Sequence, residues 1–423
     1  MLDQEVEANR RPAAGPADGG QSGFLGRFHI RDDFRRAQLA IAALFWSLGF
    51  QYGTWASRLP TIKARLGLST DEVGLMLMAC GAGAAASFPL VAVLTKRLGS
   101  RQLACLSGAF LALLLPALAV APDYPVALVI VCLDGVAVGC LNVAMNAQGA
   151  ALEVAYQRTA MGKFHATFSA GSLCAALLAS GTNLLTPSLT AHFGIATVVL
   201  LLLIGYARPG LLTPGQQPGQ QPEQPEPEQG GAPEKKKQRL TMPTRVTIWM
   251  GLAMAFGTVT EGAMNDWSAL YLKDVAKAAA ELAPMGIAVV SVMMVLARIF
   301  ADGWRTRWGD GRIVRVGSAV AGTGLALALL VGGVVPALIG FACVGLGIAA
   351  VTPCVYMAAA RQGSDALALV AAMGTTGMLA GPAVIGFIAG ASGLAWGMGA
   401  VAASAVLVSL CSTRIRWKAL AES

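Results

Sequence analysis

The sequence predicts an all-α integral membrane protein of twelve transmembrane helices, arranged as two pseudo-symmetric six-helix bundles. Three observations predict it. The 423-residue chain is 55% hydrophobic and only 13% charged, whereas a soluble domain carries about 25% charged residues. Apolar runs long enough to cross a hydrocarbon core of about 30 Å recur along its length. One low-complexity segment, TPGQQPGQQPEQPEPEQGGAPEKKKQR, divides these runs into two equal sets.

In order, the first set lies near 37–57, 72–94, 103–122, 126–150, 164–185 and 188–206. The second covers 245–272, 282–300, 314–333, 335–360, 366–389 and 391–412. Residues 1–36, with RRPAAGPADGGQSG, lack the apolar stretch of a signal peptide and read as a flexible cytoplasmic leader. Residues 207–244 are rich in Pro, Gln and Glu, which cannot bury enough apolar surface to fold. They read as a disordered cytoplasmic linker whose basic KKKQR end suits an anionic leaflet. That leaves 37–206 and 245–412 as the two bundles and 413–423 as a cytoplasmic tail.

Lysine and arginine set the orientation, because positively charged loops stay in the cytoplasm. With both termini inside, only Arg58, Lys63, Arg65, Lys273 and Lys277 fall in outer loops, and the rest of the 31 basic residues fall in inner segments. This places no basic side chain in the bilayer interior. The net charge of +8 then reflects topology and calls for no nucleic-acid partner. A monomer in the inner (plasma) membrane is expected, with the lipid bilayer as its surroundings.

All eight cysteines fall inside spans without metal-ligand spacing and read as small core residues. Nucleotide loops, HExxH and a strand-to-helix G-x-S-x-G are absent from the sequence, so neither an enzyme nor a cofactor or metal site is expected.

The inner loop after the second span reads TKRLGSRQ, and the one after the eighth reads DGWRTRWGDGR. Arg97, Gly99 and Arg101 match Arg307, Gly309 and Arg312 in the corresponding place of the other half. The repeat resembles the loop signature of the major facilitator superfamily, G-x-L-a-D-R-x-G-R-R. Ala92 and Lys96 depart from that pattern in the first loop, Asp302 and Thr306 in the second. The stretches NVAMNAQGAALE, FHATFSAG and EGAMNDWSALYL resemble the YbjJ- and MosC-like branch of the same superfamily. The resemblance implies twelve helices, alternating access between two bundles and transport of a small polar solute. It also implies that Arg97, Gly99, Arg101, Asp302, Arg307, Gly309 and Arg312 latch the inner gate.

The residues carry their own reading. A carboxylate at the bilayer centre costs roughly 2.5–3.5 kcal/mol on insertion scales, so such acids usually face a wet cavity or a partner. Glu261 and Asp134 are therefore the candidate proton carriers, with sodium as the alternative ion; helix-gluing acids are the structural alternative. Candidate solute ligands are grouped by helical spacing. They are Gln51 and Trp55, in a stripe that continues to Arg58; Asn142 and Asn146; Ser169, beside His165 and Ser172; and Asn265 with Trp267. Amides, a hydroxyl and indoles suit a sugar, a polyol or an aminated cyclitol, and an anionic solute would lack a central cation. Either indole could instead belong to the outer aromatic belt, and the asparagines could bond across helix interfaces. Gly381 and Pro382 are expected to kink the eleventh span as a gate. An exporter of amphiphilic or cationic compounds is the alternative function, and a non-transporting sensor a weaker one.

Overall fold

A computed structural model describes residues 22–213, 244–415 and Trp417. The regular elements among them are helical: α1 (Ser22–Ser57), α2 (Leu59–Leu66), α3 (Thr70–Ala119), α4 (Tyr124–Tyr156), α5 (Met161–Leu185), α6 (Leu189–Ala207), α7 (Arg245–Asp274), α8 (Met285–Trp308), α9 (Asp310–Val331), α10 (Val334–Ile348), α11 (Val351–Gln362), α12 (Ser364–Ser392) and α13 (Leu394–Arg414). Long α3 makes two crossings and α10 with α11 makes one, which gives the twelve expected. The first 21 residues of the leader and residues 214–243 of the linker lie outside the described residues. α1 already begins at Ser22, within the segment read as leader.

Local chemistry fixes where helices start. Ser69 accepts from the Glu72 amide, and the Glu72 side chain accepts from the Ser69 amide, a capping box that opens α3. Asp123 caps α4, Ser188 caps α6 and Thr244 caps α7, each satisfying an amide that the first helical turn leaves unpaired. At the inner turns, Gly99 (φ 73°, ψ 161°) and Gly309 (φ 78°, ψ 149°) adopt nearly the same backbone conformation. That conformation is open essentially to glycine alone. The sequence repeat around these glycines is thus matched by a repeat of backbone geometry.

Within the first half α3 packs along α4, α1 along α5, and α6 against α3 and α1. Within the second, α7 packs on α12 and α13, and α9 on α10 and α13. The two halves meet where α3 faces α12, α5 faces α8 and α2 faces α7. Water gives little drive to helix association inside lipid, so close backbone approach and polar contacts matter there. The half of the seam that carries α2 and the α7–α8 turn, the outer half in the orientation expected from the sequence, has both. Ala56, Ala176, Ala269, Ile287 and Ala288 form a buried cluster drawn from four helices of the two bundles. Gly74 of α3 lies so near α12 that a Cβ on it would come within 2.8 Å of the Gly386 Cα. Lys63 Nζ reaches Asp274 Oδ2 at 2.7 Å, and Asn183 Nδ2 donates to the Ala280 carbonyl at 2.8 Å. The seam is closed on its outer side.

One sequence reading changes at the end of α1. Arg58, assigned to an outer loop, is only 1% exposed. It donates to His192 Nδ1 at 3.1 Å, to Thr182 Oγ1 at 3.2 Å and to Asn183 Oδ1, tying α1 to α5 and α6. At Gly381-Pro382, where a kink is expected, α12 runs on through Pro382 as one helix, and Gly381 lies against Val259 of α7.

Candidate functional site

The middle of α1 distributes polar groups to two different places. Gln51 Nε2 donates to Asp134 Oδ1 of α4 at 2.6 Å, inside the first bundle. Cys80 Sγ of α3 approaches Asp134 Oδ2 at 3.9 Å. Its neighbour Tyr52 faces the other way and donates its hydroxyl to Asp266 of α7, across the seam. Asp134 and Asp266 are both buried, and both hold neutral partners.

This geometry corrects the stripe read on α1. Gln51, Trp55 and Arg58 do share a face, but it looks into their own bundle. Trp55 is buried and lines a small void with Asp134, Leu114, Leu115, Leu118, Ile130 and Val131. It stacks edge-on to Tyr52 at 5.8 Å. Gln51 and Trp55 therefore do not reach a space between the bundles. Trp267 is fully buried as well, below the α3–α12 contact, and belongs neither to an exposed aromatic belt nor to an open site. Asp134, expected at a wet centre, lies inside the first bundle, bonded to Gln51 and bordering that small void.

Farther in along α7 the surroundings change. Glu261 lies about halfway along the helix and is paired with Arg298 of α8, Nη2 to Oε1 at 3.2 Å. The side chains remain 27% and 19% exposed, so the pair is partly open. Arg298 also donates to Ser169 of α5 and lies 3.4 Å from the His165 carbonyl, so its guanidinium bridges the two bundles. Asn265 Nδ2 donates to the Glu261 carbonyl at 3.0 Å, one turn along the same helix. Asn142 is exposed and Asn146 half-buried. Asn146 Nδ2 donates to Asn142 Oδ1 at 2.6 Å along α4, not across a helix interface.

Arg298 overturns the reading that no cation stands in the interior. It falls at the end of the apolar run 282–300, where a long side chain can snorkel outward or turn inward. In this fold it turns inward. Tyr52 and Asp266 are not among the sequence candidates; only the fold shows that positions so far apart meet.

The residues expected to form the gate divide. Arg101 Nε donates to the Arg208 carbonyl at 3.1 Å within the first bundle. Arg97 and Arg312 are exposed, and Arg307 lies over the Trp308 ring at 5.9 Å. The acid of the second inner turn is Asp310, held by Arg305 Nε at 2.8 Å across Gly309. The side chain of Asp302 lies outside the described residues.

A family model described as Major Facilitator Superfamily matches residues 39–365. The chain belongs to the major facilitator superfamily. Within this superfamily it is 32% identical over 374 residues to an MFS-type transporter of Yersinia pestis, covering 86% of this chain and 92% of the relative. It is 27% identical over 401 residues to the membrane protein MosC of Rhizobium meliloti, covering 92% of each. Among solved structures it resembles the nucleoside transporter NupG (TM-score 0.68, 14% identity, 90% of this chain and 100% of that one). A bacterial homologue of the human lysosomal transporter Spinster gives a TM-score of 0.65 at 14% identity, covering 90% and 97%. At such identities these structures establish the superfamily fold alone.

Proposed function

We propose that the protein is a proton-coupled secondary transporter of the inner (plasma) membrane, with both termini cytoplasmic, moving a small polar solute by alternating access. The solute is of the sugar, polyol or aminated cyclitol type. One observation carries the reading: ionisable groups stand on the seam between the two bundles, where a rocking motion would change what each can touch. Glu261 and Arg298 join α7 and α8 to α5 at the partly open level, while Tyr52 and Asp266 join α1 to α7 beneath the closed outer contacts.

Such a seam supplies what alternating access requires. Separation of the outer halves breaks the Tyr52–Asp266 bond and admits outside water to Asp266. Asp134, one residue removed through Gln51, follows the same movement of α1. A buried carboxylate facing neutral donors is an uncompensated charge, and bound protons remove that cost. Glu261 has Arg298 as its counter-charge, and a rocking motion would change the contact that the same guanidinium makes with Ser169 of the other bundle. Asn142, Asn146 and Asn265 offer uncharged donors and acceptors to hydroxyl groups.

Proteoliposomes loaded with a pH-sensitive dye test this. Sugars, polyols and an aminated cyclitol are added one at a time, and proton entry is followed with and without a sodium gradient. Proton entry tied to one solute class is expected, with Glu261→Gln abolishing accumulation while leaving exchange down a gradient. Accumulation unchanged in that variant removes Glu261 from coupling. Uptake driven by sodium alone replaces the proton, and resistance to amphiphilic cations in pump-deficient cells without any solute uptake replaces import by export.

A further inference from the structure

We infer that Arg298 is the docking point for a carboxylate on the transported solute, and that this carboxylate takes the place of Glu261. The inference rests on the transport reading above but departs from its solute class: in place of sugars, polyols and aminated cyclitols it assigns small hydroxylated acids, the sugar-acid and hydroxy-acid class.

Four features of the pair support it. First, it is incomplete as an ion pair. One guanidinium nitrogen meets one carboxylate oxygen at 3.2 Å, whereas arginine and a carboxylate can form two parallel hydrogen bonds. An incoming carboxylate able to lie flat against the guanidinium gains what Glu261 does not. Second, the pair is accessible, at 19% and 27% exposure, while Arg58 is only 1% exposed and surrounded by neutral acceptors. Third, Arg298 belongs to α8 but bonds Ser169 of α5. A ligand that draws the guanidinium away acts on the contact between bundles, so binding and rocking share one side chain. Fourth, Asn265 sits one turn from Glu261 and keeps an amide oxygen for a hydroxyl of the same solute.

Charge balance then gives the coupling. The empty pair is neutral. A solute bearing one negative charge makes a neutral pair with Arg298 only if Glu261 no longer carries its own charge. Glu261 therefore takes one proton from the water on the side where the solute entered and releases it when the solute leaves. The cycle carries one anion with one proton and moves no net charge. An aminated solute predicts a different exchange, in which the ammonium pairs with Glu261 and Arg298 is left to repel it.

The test uses matched solutes on the full chain purified in detergent: glucuronate, glucose and glucosamine, with lactate, glycerate and gluconate as further acids, each followed by thermal shift. At least one acid is expected to raise the melting temperature where its uncharged and aminated twins do not. Its affinity should fall about 10- to 100-fold in Arg298→Gln, the range for a lost hydrogen bond to a charged group. Because Arg298→Gln leaves Glu261 unpaired, the double variant Glu261→Gln/Arg298→Gln checks that the loss is not misfolding; it should be stable and still fail to bind the acid. Glu261→Gln alone should bind it more tightly.

Stabilisation by glucose or glucosamine to the same degree, by none of the acids, or equally in the Arg298 variants overturns the proposal. An acid that binds through Arg298 but is never accumulated by proteoliposomes sinks the transport reading and leaves the binding site. Accumulation of uncharged or aminated solutes only does the reverse.

Discussion

Gln51 and Tyr52 are consecutive residues, yet they hold acids belonging to different bundles. Successive residues of a helix point about 100° apart, so one turn of α1 can anchor Asp134 inward and reach Asp266 across the seam. Tyr52→Phe keeps the ring and removes the donor, leaving a buried carboxylate unsatisfied at a cost of about 1–3 kcal/mol. Because the bond joins the two bundles in this structure, whose outer seam is closed, that cost falls on the closed state. The variant should therefore favour outer opening, seen as faster labelling by a membrane-impermeant maleimide of a cysteine placed at Ala269. The double change Tyr52→Phe/Asp266→Leu removes both polar partners and should recover thermal stability, because no buried group is then left without its bond. Labelling unchanged by Tyr52→Phe would make the contact incidental.

At the scale of whole elements, the inner turns after the second and eighth crossings make a sharper claim. Gly99 and Gly309 combine a positive φ with ψ near the extended range. Asparagine tolerates the left-handed helical region, but there ψ lies near +30 to +60°. Both Gly99→Ala and Gly99→Asn should thus destabilise, by about 1–3 kcal/mol, and the Gly309 substitutions by a similar amount. Thermal unfolding in detergent measures this; rescue by asparagine would show that the loops relax. These turns were legible in the sequence because a repeated Arg-x-Gly at matched positions survives the divergence of the two halves. The spans were legible for a cruder reason, the length of an apolar run. α1, α7 and the full length of α8 fall outside the eight helices long and apolar enough by composition, yet their spans were still read, near 37–57, 245–272 and 282–300. What the sequence did not give is the partners of the polar residues they carry, Gln51, Tyr52, Glu261, Asp266 and Arg298. Counting charges by loop assigned Arg298 to the cytoplasm because position along the chain does not say which way a long side chain turns. Periodicity gave the shared face of Gln51, Trp55 and Arg58 correctly. It could not say whether that face met the seam or the bundle's own core.

For the molecule as a whole, the question is what holds the outer side shut, and the candidates differ greatly in weight. Lys63–Asp274 is a half-exposed pair, 21% and 36% accessible, and such pairs contribute about 0–1 kcal/mol. The α3–α12 contact is of another kind. Gly74 and Gly386 bring backbone to backbone, and a Cβ on either would fall within 2.8 Å of the other's Cα. No rotamer change relieves that overlap, because backbone rather than a side-chain tip is the obstacle; the helices must part. A bulky residue at Gly386 is therefore incompatible with the closed outer seam and compatible with any state in which α3 and α12 have separated there. A ligand or mutation shifts such an equilibrium only through its different free energy in the two states, and about 5.5 kcal/mol carries a population from 1:99 to 99:1. Gly386→Trp should move most molecules to the outward-open state, whereas Asp274→Asn should leave the distribution nearly unchanged. Distances between spin labels on the outer ends of α3 and α12 read both. If the tryptophan variant keeps the closed outer distance while Asp274→Asn lengthens it, then surface charge pairing governs the gate, and the close approach of the two glycines is a consequence of closure rather than its cause.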